Sequence, residues 1–258
     1  MSATTWCLAL SLAVVTSTAR AEERPMLDAE LGAEAMGRHL SYNDDLFHQM
    51  NTYDLTAAPG VYGRAAFYPG VLLGGRVASM FGVTLGGDFV VAPDSRDVHG
   101  AEVPVRAWGY TAGLRVRLPE GLPDVGLDVA YVAQRFTLGR STPSLDAGVP
   151  NVGAQSLRLG LSGRFAITDR VAVTGRAAFL AVLDTGAAPS LYFPRLSTNA
   201  VEASAGVAVR VWRGVELRAA IEYRRYFSSM NPEPGDAHVV GGSLDQYLTG
   251  TLGVGWRR

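Results

Sequence analysis

Apolar and polar residues alternate along most of this chain with a period of two. The final stretch shows the pattern clearly. In residues 244–256, Leu248, Leu252, Val254 and Trp256 fall on one parity, and polar or small residues fall on the other. Successive side chains of a β-strand point to opposite faces, so this parity places one apolar and one polar face on each segment. Ten such segments can be read, at about 27–40, 57–68, 81–92, 103–118, 125–137, 154–168, 171–183, 199–212, 215–227 and 243–257. In the sixth, Leu157, Leu159, Leu161, Phe165 and Ile167 alternate with Ser156, Arg158, Gly160, Ser162 and Arg164. Each segment is long enough to cross a bilayer as a tilted strand, which needs about 9–11 residues. After the N-terminal segment no run of about 18 apolar residues occurs, which excludes helical membrane spans.

The connections alternate in length. Residues 168–170 and 213–214 are tight turns, and 119–124 is short. Between them lie longer polar stretches at 41–56, 93–102, 139–153, 184–198 and 228–242. The 69–80 connection is long and apolar on the short-turn side, and predicts a short helix packed at that mouth. A lipid-facing sheet with open edges would leave unpaired N–H and C=O groups, each costing several kcal/mol, so closure is expected. The expected fold is all-β: a closed antiparallel transmembrane up-and-down β-barrel of ten strands, with eight or twelve as alternatives. An even count pairs the first strand with the last. Aromatics near segment ends (Tyr68, Phe81, Trp108, Phe136, Trp212, Tyr226, Phe227 and Trp256) are expected to form interfacial girdles.

Residues 1–21 carry the marks of a cleaved export signal. An apolar core runs from Trp6 to Val15, and Ala19-Arg20-Ala21 supplies a small-x-small cleavage site. The remainder, 22–258, reads as a single barrel domain. Cys7 is the sole cysteine and lies inside the signal, so no disulfide or thiolate-held metal is expected afterwards. All 23 Lys+Arg residues are arginine, against 24 Asp+Glu. Removal of Arg20 with the signal leaves 22 − 24 = −2. There is no basic excess for nucleic acid. Without lysine, a Walker-type phosphate loop and Schiff-base chemistry are excluded.

Together the alternation, signal and loop asymmetry resemble the bacterial outer-membrane β-barrel superfamily, in the group of small OmpA-like barrels, over residues 27–257. The resemblance implies a place in the outer membrane of a Gram-negative envelope with both termini periplasmic. It also implies outer-membrane lipid and lipopolysaccharide as surroundings, and the barrel-assembly machinery as a partner during biogenesis. Members usually end in an aromatic residue read by that machinery. Trp256 stands in that place, followed by Arg257 and Arg258. No cofactor is expected, and the oligomeric state is left open.

The inward parity carries Glu30, Glu34, Arg64, Arg115, Asp128, Arg158, Arg164, Arg176, Glu202, Arg210, Glu216, Arg218, Glu222, Arg224 and Asp245. Both signs are interspersed, which suits a network of paired charges plugging a narrow lumen. A charged pore constriction, as in a porin, is the alternative. A second cluster gathers on the long-loop side, where ring closure would bring His39, Asp44, Asp45, His48, Asp236 and His238 together; His99 falls on the same side. Imidazoles with carboxylates raise a surface metal site. Asp236-Ala237-His238 has the Asp-x-His spacing of the omptin proteases, with Asp44 and Asp45 as the opposing pair, although the family's own pair is separated by one residue. Ser41, Ser228, Ser229 and Ser243 near that rim raise a lipid hydrolase. The expectation is ordinary solvated loop residues, with no catalytic or metal residue assigned. The role expected is non-enzymatic, structural or binding, exercised through the external loops. A small-solute channel and a rim hydrolase are the alternatives.

Overall fold

The computed structural model describes residues 24–96, 102–119, 123–139, 151–186 and 192–258. The predicted signal at 1–21 and His99 lie outside these residues. Ten strands follow in order: β1 (Leu27–Asn43), β2 (Tyr53–Phe67), β3 (Phe81–Arg96), β4 (Glu102–Arg117), β5 (Asp124–Leu138), β6 (Val152–Ala166), β7 (Val171–Asp184), β8 (Ser197–Trp212), β9 (Val215–Ser229) and β10 (Gly242–Arg257). Each pairs antiparallel with its neighbour in sequence, and β1 pairs with β10 to close the barrel. The closing seam runs from Asp28 opposite Arg257 to Asn43 opposite Gly242. Closure leaves no open sheet edge and pairs the backbone polar groups between strands.

The parity read from the sequence fixes the two faces. Leu31, Val61, Leu85, Leu114, Leu159, Ile221 and Leu252 project outward and are exposed. Glu34, Arg38, Asp128, Arg158, Glu202 and Glu216 sit on the opposite parity and are buried. On β4 the outward apolar run goes from Trp108 to Leu118. At the usual rise and tilt this is a belt roughly 25 Å tall. The outward aromatics Phe81, Trp108, Trp212, Phe227 and Trp256 lie at its edges as expected.

Three predicted girdle aromatics do not belong to it. Phe136, only 1% exposed, and Tyr226 face the lumen, because each has the inward parity of its own strand. Tyr68 is buried at the short-turn mouth, where the Arg117 guanidinium lies 3.8 Å from its ring centroid. Position near a strand end suggests the girdle, but parity decides the face.

The short turns have local causes. In the β6–β7 turn, Thr168 Oγ1 accepts from the backbone N–H groups of Arg170 and Val171 at 3.2 and 3.0 Å. The β8–β9 turn places Gly214 at φ +72°, the left-handed backbone that tight hairpins require and glycine adopts without a Cβ clash. The 69–80 connection departs from expectation. It holds two 3₁₀ turns, Pro69–Val71 and Ala78–Met80, rather than one packed helix. Its apolar tip is not packed either: Leu72, Leu73 and Val77 are 71%, 80% and 69% exposed. Proline at the start and glycines at 70, 74 and 75 favour turns over a continuous helix. Its base is anchored at the mouth, where Arg117 Nε donates to the Ser79 carbonyl at 3.0 Å and Nη1 donates to the Pro25 carbonyl at 3.0 Å.

Candidate functional site

The inward parity brings the predicted charges together in three tiers. Nearest the short turns, Arg218 donates to Glu216 at 2.9 Å, and lies 2.7 Å from Asp28 and 3.3 Å from Glu30. Arg164 donates to the same Glu216 at 2.6 Å. Arg257 joins Asp28 to Asp124 at 3.3 and 3.2 Å. Arg115 faces Asp128 at 3.8 Å, and Asp128 accepts from the Ser162 hydroxyl. Tyr62 donates to Glu30. Its ring fits because Gly32 and Gly253 lie opposite each other on the closing seam. A Cβ on Gly253 would meet the Tyr62 oxygen at 2.5 Å.

In the middle tier Glu202 is the common acceptor. Arg224 binds it at 2.8 Å, Arg158 lies 3.5 Å away and Arg176 3.8 Å. Arg64 pairs with Glu222. Arg224 also donates to Gln134 Oε1 at 2.5 Å, which accepts from the Tyr226 hydroxyl at 3.0 Å. The space left between these side chains is about 270 Å³, and Glu34, Asp88, Arg158, Arg176 and Glu222 are among the residues that line it. Asp88 is not among the predicted charges, although its even position on β3 shares the parity of inward Thr84 and Gly86.

The third tier, toward the long loops, is of a different kind. Arg38 donates twice to Asp245, at 2.8 Å each, and its side chain is wholly buried. The guanidinium carbon lies 4.1 Å from the Phe136 ring centroid, 5.4 Å from Tyr247 and 5.6 Å from Tyr53. Phe136 meets Tyr53 and Tyr247 edge-on, and Tyr226 meets Tyr247 edge-on. Met36, Leu40, Val90, Val105 and Leu180 pack with them as one buried cluster. At this level the lumen thus holds an apolar and aromatic layer with one ion pair, and not charges alone. Phe193, Met230 and Val240 form a second buried cluster, from the loops on this side.

One predicted lumen residue stands at the rim. Arg210 has the inward parity of β8 but is exposed. It sits at the short-turn rim, where the register shifts between Arg210 and Trp212.

The rim cluster is only partly assembled. Ring closure does bring the first and fifth long loops into contact: Leu46 N–H donates to the Val239 carbonyl, and Gly241 N–H to the Asn43 carbonyl. His238 Nδ1 lies 3.0 Å from Gln49 Oε1, with its ring against Tyr192 and Phe193. His39 stays apart, paired with Asp54 at 2.5 Å on the exposed outer face. Asp236 is held by Arg195 and accepts from Glu233 N–H at 2.7 Å. The Arg195 bond, then the Glu233 N–H, hold the Asp236 carboxyl below the usual carboxylate range. Burial acts to raise Asp45, but the backbone N–H groups of Met50, Gln49 and Phe47 outweigh it and hold its carboxyl low. Asp44 and His48 both take left-handed backbone, with φ of 55° and 51°. Ser228 bonds Thr198, and Ser229 bonds Asn231. Among the described residues no group of three potential metal ligands converges.

No protein-family model matches this chain. No characterised protein sequence matches it. Among solved structures it is similar to the translocator domain of the autotransporter NalP from Neisseria meningitidis, at 12% identity and a TM-score of 0.42, over 92% of this chain and 90% of that one. It is also similar to Ail of Yersinia pestis, the attachment invasion locus protein, at 10% identity and a TM-score of 0.32, over 91% and 99%. A third is outer-membrane expressed OmpT of Vibrio cholerae, at 8% identity and a TM-score of 0.29, over 93% and 100%. At such identities and TM-scores these likenesses carry no activity, ligand or location across to this chain.

Proposed function

We propose that this chain is an integral outer-membrane β-barrel whose lumen is closed by its own side chains, and that it acts without catalysis, as a structural element or through its long loops. The observation that carries this reading is the pairing of two opposite surfaces on one closed sheet. The outward face is a continuous apolar belt, and the inward face is an ion-pair lattice stopped by the Arg38–Asp245 aromatic layer. Exposed leucine, valine and isoleucine over a whole circumference suit hydrocarbon and not water, since soluble proteins seldom expose large contiguous apolar patches. Both ends of the described barrel lie on the short-turn rim, where Leu27 N–H donates to the Arg258 carbonyl at 2.9 Å. That rim is read as periplasmic and the long loops as external. Removal of residues 1–21 as an export signal, and folding by the assembly machinery, belong to the same proposal.

Planar-bilayer recording of the purified, refolded barrel tests the closed lumen. Little or no steady conductance is expected. A small-solute channel is the second reading, favoured by the mid-lumen space of about 270 Å³. A large steady current would establish that reading and remove the first.

A further inference from the structure

On the outward face of β4 and β5, the apolar belt ends in two arginines. Arg106 lies two residues beyond Trp108 on β4, with the same outward parity. Arg135 lies directly opposite Trp108, on β5. Arg106 is opposite Thr137, so the two arginines are diagonal neighbours on one face, within reach of a shared ligand. Both are exposed, and among the described residues neither is engaged in an ion pair. Arg225, also outward near this edge, instead leans over the Phe227 ring at 5.6 Å.

Arginine on the lipid-facing parity is unfavourable within hydrocarbon, and the penalty fades only at the interface. Trp108 and Tyr110 mark that interface, stacked with ring centroids 6.1 Å apart. Arg106 and Arg135 therefore stand at headgroup depth, above the belt and outside the lumen. A guanidinium fork matches a phosphate bidentately, and two forks a diagonal step apart can share one phosphate monoester.

We propose that Arg106 and Arg135, beside Trp108, form a binding site for the phosphate of a membrane lipid on the long-loop side. The occupant is a lipid, not a free anion, because the site is continuous with the apolar belt, where acyl chains would lie against Tyr110 and Leu114. This inference rests on the reading of the belt as membrane-embedded.

The test is native mass spectrometry of the detergent-solubilised barrel with phosphatidic acid and with diacylglycerol of identical chains. These two lipids differ only in the phosphate. The wild type should prefer phosphatidic acid by about thirtyfold, the weight of two arginines at an anionic lipid surface. Arg106→Gln with Arg135→Gln should abolish the preference and leave diacylglycerol binding unchanged. Arg213→Gln, on the opposite rim, should retain it. Equal binding of both lipids by the wild type, or a preference that survives the double substitution, overturns the site. Displacement of phosphatidic acid by millimolar inorganic phosphate would mean a free-anion site and overturn the lipid as occupant. A chain that stays soluble without detergent sinks the membrane reading itself, so the two failures are distinguishable.

Discussion

At the scale of single residues the Arg38–Asp245 pair is the most consequential. Both side chains are buried, at 0% and 8% exposure, and bonded through two parallel N–H···O contacts. Removing one partner leaves an uncompensated buried charge, whereas removing both leaves a layer that is apolar apart from tyrosine hydroxyls. We expect Arg38→Met or Asp245→Leu alone to destabilise the barrel by about 3–5 kcal/mol, and the two together by clearly less. Urea unfolding in lipid vesicles, arranged as a double-mutant cycle, measures this. Additive losses would mean that Arg38 is held by the Phe136, Tyr53 and Tyr247 rings and not by the carboxylate. Several partners of this layer are legible in the sequence through parity, but Tyr53 is not, since it falls in the stretch 41–56 read as a long loop. Arg38, Asp245 and Tyr247 all have the inward parity of their strands. The cage as a unit is not legible there, because its ion pair and aromatic rings come from β1, β2, β5, β9 and β10, and only the barrel register places them at one height.

At the scale of the strand, spacing and parity carry nearly all the information. The alternation predicts all ten strands, and most observed boundaries fall within two residues of those read from the sequence; an exception is β2, which begins at Tyr53 rather than 57. The reason is physical: a sheet with one apolar and one polar face cannot shift register by one residue without exchanging them. The 69–80 connection lacks that constraint. Its apolar residues suggest packing, but proline and glycine break the helix that packing would need. The seam between β1 and β10 shows how small residues act within this logic. Gly32 and Gly253 face each other across it, and the space they leave is filled by Tyr62 from β2. Gly253→Val would drive a side chain into the Tyr62 hydroxyl and the Leu31 carbonyl, which lie 2.5 and 2.8 Å from where its Cβ would stand. The expected cost is about 1–3 kcal/mol, with the Tyr62–Glu30 bond displaced. Gly250→Val, on the same strand but with nothing within 4 Å of its Cβ, should be close to neutral. Refolding yield and urea midpoint in vesicles compare the two, and equal losses would contradict the seam argument.

At the scale of the whole molecule a closed lumen needs a seal, since ten strands alone do not fill it. The tiers differ in how they occupy space. The lower two are ion pairs around about 270 Å³ of open volume, so they constrict without sealing. The third is built of aromatic and aliphatic side chains, which suit a seal, and Phe193, Met230 and Val240 cluster on the same side. If the seal lies there, charge edits in the middle tier, such as Arg176→Gln, should leave conductance at the wild-type baseline. Phe136→Ala with Tyr247→Ala should instead admit a measurable current by joining the mid-lumen space to the long-loop side. Arg38 and Asp245 stay in place in this variant, so the pair that tethers β1 to β10 is kept and the barrel should still fold. Adding Phe193→Ser should raise the current further if the loop cluster is a lid in series with the plug. Single-channel recording at fixed salt ranks the four proteins. A current that opens on Arg176→Gln but not on the aromatic pair would place the seal among the charges, and the aromatic layer would then be a stabilising core with no part in closure.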